Sequence, residues 1–305
     1  MSKVPVLFLI FDRLETSVES FASIRKYQPD KLYIAADGPR QHVAGEAERC
    51  EKTRSEILKM VDWPCTLRTL FRDSNLGCDE AIPGAISWMF ESEEYGVIVE
   101  DDVVLGEDFF KLCEQMLPQY SSEEGVMMIT SQFYGSKPEL SKYGFSNYPL
   151  IWGWATWRRA WNRMDMRMEG YKSISFGRLF KEYGLFMALM IKSYLDNAYK
   201  RVNQGDTHVP WDIRWVCSML VNNGLSLSPM ANLAVNVGCN GVGGVHYSAD
   251  DKDPFEHLNV EKLDWPVSRI GGIEPTPEIL KIERKDFFRL RMIGLRKKIK
   301  KLFKR

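Results

Sequence analysis

The stretch GVIVEDD at residues 96–102 joins an apolar run to three consecutive carboxylates, Glu100, Asp101 and Asp102. This pattern predicts a buried strand whose exposed end carries hard oxygen ligands. Such ligands suit Mg²⁺ or Mn²⁺, which can bridge to phosphate oxygens and neutralise a departing nucleotide. Acidic residues after a strand also occur as ordinary polar loop ends, so the rest of the chain has to decide between these two interpretations.

The composition is that of a globular protein with an unusual tail. The chain has 305 residues, of which 45% are hydrophobic, enough to bury the core of one large domain or of one domain with an added lobe. The net charge is zero, yet residues 289–305 hold nine Lys and Arg and no acid, which leaves an excess of nine acidic groups in residues 1–288. The six cysteines contain no CxxC pair, which argues against a zinc site and a disulfide scaffold.

No targeting or membrane-spanning segment is predicted. The apolar stretch Val4–Ile10 has seven residues, includes Pro5, ends before Asp12 and lacks a small-residue cleavage site, so we interpret it as a first strand. No stretch reaches the roughly eighteen apolar residues that a membrane span requires. These patterns predict a cytoplasmic location.

The first 130 residues alternate β-rich runs with helical patterns, which predicts parallel strands joined by crossover helices. The predicted strands are 4–11, 31–36, 65–71, 96–100 and 125–131, and the predicted helices are 17–26, 45–60, 80–92 and 108–120. The fold class is therefore an open, mostly parallel α/β sheet flanked by helices. Ligands of such sheets bind beyond the carboxyl ends of the strands, where residues 12–13, 37–38, 72–77 and 100–102 all fall.

The texture of the sequence becomes aromatic and irregular after about residue 136. WGWATW at residues 152–157 is followed by predicted helices at 176–204 and 212–223, a strand at 226–237 and a glycine-rich loop at 238–246. We predict a nucleotide-sugar-binding half at 1–135, an acceptor-binding and catalytic-base half of the same domain at 136–270, and a C-terminal extension with a basic amphipathic helix at 271–305.

Six short motifs occur in a characteristic order: FDR at 11–13, ADG at 36–38, NLG at 75–77, VEDD at 99–102, WGWATW at 152–157 and PWDIRW at 210–215. In order and spacing they resemble the inverting GT-A nucleotide-sugar transferases, particularly bacterial sugar transferases related in layout to N-acetylglucosaminyltransferase I. The resemblance spans roughly residues 4–246. It implies a GT-A fold, a nucleotide diphosphate sugar donor and a Mn²⁺ or Mg²⁺ cofactor.

The resemblance also implies roles for the acidic triplet. Asp102 matches the last carboxylate of the family's DxD-type element and would ligate the cation directly. Glu100 and Asp101 would face the sugar and the ribose. A divalent ion at this position would stabilise the charge that develops on the leaving nucleoside diphosphate.

Three further residues match donor-binding positions of the family. Arg13 would meet the diphosphate, Asp37 would accept a hydrogen bond from the base, and Asn75 belongs to a nucleotide-contacting loop. Each has a simpler interpretation, since Arg13 could form a salt bridge at the strand end and Asp37 and Asn75 could belong to ordinary turns.

Asp212 is the predicted catalytic base. Inversion by direct displacement needs a carboxylate near the acceptor hydroxyl, opposite the leaving group. The family's base-bearing stretch can carry two adjacent acids, whereas this chain has Asp212 followed by Ile213. Asp212 is also well suited to the first turn of a helix, and the two roles are compatible.

Two other regions have open alternatives. His246 aligns with a segment that folds over the donor and is a candidate metal ligand, although a lone loop histidine is often simply exposed. Trp152 and Trp154 are candidate acceptor-binding residues that could stack on a sugar ring, with burial in the core as the alternative.

The basic tail at 289–305 intersperses apolar and cationic residues, which favours attachment to an anionic membrane surface. Nucleic-acid binding and a solvated terminal helix are the alternatives, and we predict no nucleic-acid partner. The resemblance implies peripheral association with the inner face of the cell membrane, where lipid-linked oligosaccharides are extended.

The predicted function is transfer of a sugar from a nucleotide diphosphate sugar, with UDP favoured, to a hydroxyl of a glycan or lipid-linked oligosaccharide. A sugar-phosphate nucleotidyltransferase is the nearest enzymatic alternative, but it would need a glycine-rich loop after the first strand to hold a triphosphate. A non-catalytic membrane-surface adaptor is the alternative from a different class.

Overall fold

The computed structural model describes residues 2–134, 143–238, 258–286 and 288. Ten strands lie in the described part of the chain. They are β1 (Val6–Ile10), β2 (Lys31–Ala36), β3 (Thr66–Phe71), β4 (Tyr95–Glu100), β5 (Val103–Leu105), β6 (Val126–Thr130), β7 (Tyr143–Ser146), β8 (Trp154–Trp157), β9 (Leu225–Pro229) and β10 (Ala234–Asn236).

The predicted open α/β sheet is confirmed. Eight strands form one sheet in the order β3-β2-β1-β4-β8-β6-β9-β7, and β5 pairs with β10 in a separate two-stranded sheet. The pairs β3-β2, β2-β1, β1-β4 and β6-β9 are parallel, whereas β8 is antiparallel to both its neighbours and β7 is antiparallel to β9. The parallel strands β1, β2 and β4 are almost entirely buried because helices cover both faces of the sheet.

The helices follow the strands in the crossover arrangement expected for parallel pairs. Their bounds are α1 (Leu14–Tyr27), α2 (Glu46–Lys59), α3 (Cys78–Phe90), α4 (Glu107–Gln119), α5 (Arg158–Trp161), α6 (Phe176–Tyr183), α7 (Leu185–Asn203) and α8 (Trp211–Val221). A 3-10 turn lies at Glu169–Ser173, and residues 277–286 form a further helix, α9. No described helix has the length and apolar character needed to cross a bilayer.

The aromatic segment WGWATW, for which the sequence predicts no strand, contains one. Its last four residues are β8, which inserts between β4 and β6 at the centre of the sheet. All four are buried, because a central strand packs on both faces. The run of four residues is too short to show a strand period.

Two predicted elements are each divided in the structure. The helix predicted at 176–204 breaks at Gly184, which adopts a φ of +77° and separates α6 from α7. The strand predicted at 226–237 is two strands, because β9 joins the large sheet and β10 pairs with β5.

Two buried clusters hold the molecule together. The larger surrounds the sheet, and the smaller packs α6, α7, α8 and the 3-10 turn against one another. Strands from both predicted halves belong to the one large sheet, and the division at residue 135 stays a prediction. The basic tail at 289–305 lies outside the described residues.

Candidate functional site

The carboxyl ends of β1 and β4 bring Arg13 against the acidic triplet. Arg13 Nη2 donates to Asp101 Oδ1 at 2.5 Å and to Asp102 Oδ2 at 3.0 Å. The strands are parallel neighbours, so residues directly after them share one edge of the sheet. This is the salt bridge that the sequence offered as the simpler interpretation of Arg13, and it leaves the Arg13 side chain 33% exposed.

The triplet holds more negative charge than Arg13 compensates. Burial is the largest cause that raises the pKa of Glu100 to about 8. The charges of Asp102, Asp101 and Asp212 raise that pKa further, in this order. Burial also raises the pKa of Asp101 to about 6, although the charge of Arg13 opposes it. Such an excess of buried carboxylates favours the binding of a cation.

Asp102 is enclosed by the segment that leads into the glycine-rich loop. Val237 donates its backbone N–H to the Asp102 carbonyl at 2.8 Å, and Asn236 Nδ2 lies 3.4 Å from Asp102 Oδ1. A Cβ on Gly238 would lie 2.5 Å from Asp102 Oδ2, so only glycine fits there. Asn236 could not be singled out from the sequence, where its one signal is its place two residues before Gly238.

Asp37 holds the loop that follows β3. Its carboxylate accepts from the backbone N–H groups of Gly38, Leu76 and Gly77 and from Asn75 Nδ2, at 2.9–3.1 Å. These four donors use the acceptor sites of a carboxylate, so a nucleotide base would have to replace one of them. The turn that was the simpler interpretation of Asp37 and Asn75 is therefore present, and their contacts with a nucleotide stay predictions.

The two loops at this edge approach too closely for a side chain at residue 38. A Cβ on Gly38 would lie 2.3 Å from the backbone carbon of Ser74. Asn75 Nδ2 also donates to the Gly38 carbonyl at 2.8 Å. Beside them, the Asp12 carboxylate accepts a hydrogen bond from Arg49 Nη2 of α2 at 2.9 Å. Hydrogen bonds therefore hold both Asp12, after β1, and Asp37, after β2.

Asp212 lies at the start of α8, in the same electrostatic environment as the triplet. Its charge is one of those that raise the pKa of Glu100. The side chain is partly exposed, and Oδ1 accepts from the Ile213 backbone N–H at 2.8 Å. Its predicted place in the first turn of a helix is confirmed. Because Asp212 lies 110 residues or more from the triplet in sequence, only the fold brings them together.

A cluster of four tryptophans anchors the start of α8. Trp211 stacks on Trp154 of β8 with ring centroids 6.1 Å apart, and Trp215 lies 5.6 Å from Trp154 and 5.3 Å from Trp161. Rings of this size dominate buried apolar surface. The cluster therefore fixes Asp212 relative to the central strand of the sheet.

The prediction that Trp154 binds the acceptor is wrong. Its side chain is completely buried among the other tryptophans and cannot stack on a sugar. Trp152, two residues earlier, is partly exposed, and its backbone N–H donates to Gln132 Oε1 at 2.9 Å. An acceptor contact by Trp152 stays a prediction. His246 lies outside the described residues.

The residues of this site fit a divalent cation that takes its remaining ligands from a phosphate and water. The described residues contain no group of three or more His, Cys, Asp and Glu side chains that could hold a metal ion alone. Mg²⁺ commonly uses one or two carboxylates and completes its coordination with substrate phosphates and water. Asp101 Oδ2 is buried and has no hydrogen-bond partner among the described residues, which is consistent with a ligand that is still to bind.

Comparisons with known proteins give likeness of fold alone. No protein-family profile matches the sequence, and no curated protein matches it. HddC from Yersinia pseudotuberculosis has 13% identity and a TM-score of 0.26 over 37% of this chain and 54% of its own. Mannosyltransferase PcManGT from Pyrobaculum calidifontis, in complex with GDP-Man and Mn²⁺, has 10% identity and a TM-score of 0.36 over 72% and 70%.

S. aureus TarS has 10% identity and a TM-score of 0.42 over 78% of this chain and 61% of its own. This chain thus spans about half of HddC and three fifths of TarS. At these identities the resemblance concerns overall shape, and a function has to be inferred from the contacts within this chain.

Proposed function

We propose that this protein is an inverting, metal-dependent glycosyltransferase. It moves a sugar from a nucleotide diphosphate sugar, a UDP-sugar by preference, to a hydroxyl of a glycan or lipid-linked oligosaccharide. The observation that carries the proposal is the shared environment of the acidic triplet and Asp212 at the carboxyl edge of the sheet. Sugar transfer needs a cation for the leaving group and a base for the acceptor. The triplet would hold the cation, and Asp212 would be the base.

The triplet supplies the donor side. Asp102 would ligate Mn²⁺ or Mg²⁺, and Glu100 and the buried Asp101 would face the sugar and ribose. A bound divalent ion would neutralise charge that develops on the departing diphosphate. Arg13 already lies against both aspartates, within reach of the same phosphates, and its guanidinium can donate to phosphate oxygens in pairs.

Asp212 supplies the acceptor side. Its carboxylate would take the proton of the acceptor hydroxyl as that oxygen attacks the anomeric carbon. The tryptophan cluster beneath α8 keeps this carboxylate in a fixed position, which is the condition for efficient proton transfer. Trp152 is the remaining candidate for contact with the acceptor ring.

The segment after β1 does not favour the nucleotidyltransferase alternative. Asp12 and Arg13 lead directly into α1 at Leu14, without the glycine-rich turn that would wrap a triphosphate. Arg13 is the residue before the helix, and its guanidinium points to the triplet.

We also propose that residues 289–305 bind the anionic inner face of the cell membrane, with the protein in the cytoplasm. This tail contains nine basic residues and no acidic residue. Each Lys or Arg near such a surface contributes about 1 kcal/mol of attraction. Attachment would bring the site close to a lipid-linked acceptor.

Thermal unfolding with a panel of UDP- and GDP-sugars, each with and without Mn²⁺, tests the proposed donor. A ligand that binds only the native state raises the unfolding temperature. We expect one nucleotide sugar to do so only when Mn²⁺ is present. The stabilising donor is then used with an acceptor, and NMR of the product should show inversion at the anomeric carbon. Stabilisation by no donor, or a product with retained configuration, would contradict the proposal.

A further inference from the structure

The outer surface of α6 and α7 carries large apolar side chains that the protein leaves exposed. Their exposed fractions range from 38% to 57%. We call them the helical apolar patch, which consists of Phe176, Phe180, Leu185, Phe186 and Leu189 together with Phe288 beyond α9. A contiguous apolar surface of this kind marks an interaction site more often than scattered single residues do.

The two helices that carry the patch are joined directly, and each presents an exposed apolar pair. Phe176 and Phe180 are four residues apart on α6, and Leu185 and Leu189 are four apart on α7, so each pair lies on one helix face. Gly184 connects the helices and donates its N–H to the Phe180 carbonyl at 2.9 Å. The opposite faces of α6 and α7 are buried in the smaller core cluster, to which the exposed residues of the patch do not belong.

Helix α9 brings the start of the basic tail to this surface. Arg284 donates from Nε to the Glu182 carbonyl at 3.1 Å and from Nη2 to the Lys181 carbonyl at 3.1 Å, both at the end of α6. The rings of Phe186 and Phe288 meet edge to face with centroids 5.1 Å apart. The basic sequence of residues 289–305 therefore begins at the margin of the patch.

Most described charges near the patch are paired. Arg178 pairs with Glu182 at 2.8 Å, and Lys192 pairs with Asp196 at 2.6 Å. Lys181 is exposed beside Phe180. The attraction for an anionic partner therefore comes chiefly from the nine basic residues of the tail at 289–305.

We propose that the helical apolar patch inserts into the interfacial region of an anionic lipid bilayer, next to the basic tail. The inference rests on the membrane contact proposed above for residues 289–305 and does not depend on the transfer reaction. A bilayer matches both features, because acyl chains accept the apolar side chains while anionic headgroups attract the tail. A second copy of the chain fits less well, since pairing the patches would bring two strongly basic tails together.

The test is sedimentation of the full-length protein with vesicles of equimolar phosphatidylcholine and phosphatidylserine. The double variant Leu185→Ser with Leu189→Ser removes the two most exposed leucines of the patch, and Phe180→Ser is an independent second variant. Leu67→Ser is the matched control, because Leu67 is 38% exposed on the edge strand β3, away from the patch. Circular dichroism and thermal unfolding confirm that each variant is folded.

We expect either patch variant to weaken vesicle binding by about tenfold or more, since burying one large apolar side chain contributes roughly 1.5–3 kcal/mol. Leu67→Ser should bind as the wild type does. Unchanged binding of both patch variants would overturn the inference. If deletion of 289–305 abolishes binding while both patch variants bind as the wild type does, the tail proposal survives and this one fails. A wild type that never binds vesicles contradicts both.

Light scattering distinguishes the competing occupant. We expect the wild type and the patch variants to have the same oligomeric state without vesicles. A wild-type dimer that the Leu185→Ser and Leu189→Ser changes convert to a monomer would show that the patch is a protein interface, and would overturn the inference.

Discussion

Two regions of the molecule bury a glutamate whose pKa is about 8, yet their surroundings differ. Glu100 lies at the carboxyl edge of the sheet, and Glu283 of α9 lies in the interior against β7. Burial is the largest cause of the raised pKa in both. Around Glu283 a hydroxyl, Ser146 Oγ, donates to the carboxylate, and Asp286 is the acid that adds to the effect.

The surroundings of Glu100 are strongly acidic. Three further carboxylates raise its pKa, and the opposing charge is that of Arg13. A raised pKa alone therefore does not identify a functional site, because burial produces it in both regions. What distinguishes the triplet is the convergence of like charges at an edge where parallel strands present ligand-binding loops.

The largest expected effect is that of Asp102→Ala on sugar transfer. Loss of the proposed metal ligand should lower the rate on the order of 10³-fold or more, because a bound cation supplies several kcal/mol of charge stabilisation. Glu283→Gln is the matched control, since it removes a buried carboxyl outside the site and should leave transfer unchanged. Steady-state rates across a Mn²⁺ titration give the answer. An Asp102→Ala enzyme with normal activity at low Mn²⁺ would remove the distinction between the two regions.

Asp212→Asn should lower the transfer rate on the order of 10²- to 10⁴-fold while donor binding persists. The substitution keeps the shape of the side chain but cannot accept the proton. Transfer rates and donor affinity have to be measured on the same folded protein. Near-normal turnover, or loss of donor binding in place of turnover, would rule out a base at this position.

Glu283→Gln should change the pH dependence of stability. The folded pKa of Glu283 is raised to about 8 from its ordinary value of 4.5, so its stabilising contribution is complete below 4.5 and is lost as pH rises towards 8. The wild type should lose up to about 1.4 kcal/mol of unfolding free energy per pH unit over this range through this one group. The variant lacks that loss and should be the more stable protein at pH 8.

Denaturant unfolding from pH 4 to pH 9 measures this difference. Glu278→Gln on the exposed face of α9 is the control and should follow the wild type. If the wild type and Glu283→Gln give parallel curves, burial does not set the pKa of Glu283 as described.

Asp37→Asn should have the smallest effect. In the variant, the NH₂ group of the amide would face the N–H groups of Leu76 and Gly77, which are also donors. Loss of these hydrogen bonds should lower the free energy of unfolding by about 1–3 kcal/mol. We expect lower stability and weaker nucleotide affinity, because the loop carries Asn75. Asp73→Asn, at an exposed position of the same loop, is the control. Unchanged stability would show that the loop does not depend on Asp37.

The parallel half of the sheet could be predicted because each strand is a continuous apolar run that ends at a polar loop. The structure places β1, β2, β3 and β4 within two residues of their predicted bounds, and the largest difference is at the start of β1. β8 could not be predicted, because a run of four residues with a tryptophan at each end is too short to show a strand period and its pairing with β4 and β6 is non-local.

The break between α6 and α7 at Gly184 could not be predicted either, because the helical sequence pattern continues across it. The turn is evident from the positive φ of Gly184 in the structure. In the site, the approach of Arg13 to the triplet follows from parallel neighbouring strands. The contact between Asn236 and Asp102 crosses 134 residues and depends on the pairing of β5 with β10, which three-residue strands do not reveal in a sequence.

Binding of Mn²⁺ in the presence of UDP or GDP shows directly whether the acidic triplet holds a cation. Electron paramagnetic resonance measures free Mn²⁺ in a titration of the wild type, of Asp102→Asn and of Glu283→Gln. We expect the wild type and Glu283→Gln to take up Mn²⁺ together with one of the two nucleotides, and Asp102→Asn to take up far less. Equal uptake by Asp102→Asn, or no nucleotide-dependent uptake by the wild type, would contradict a cation site at the acidic triplet.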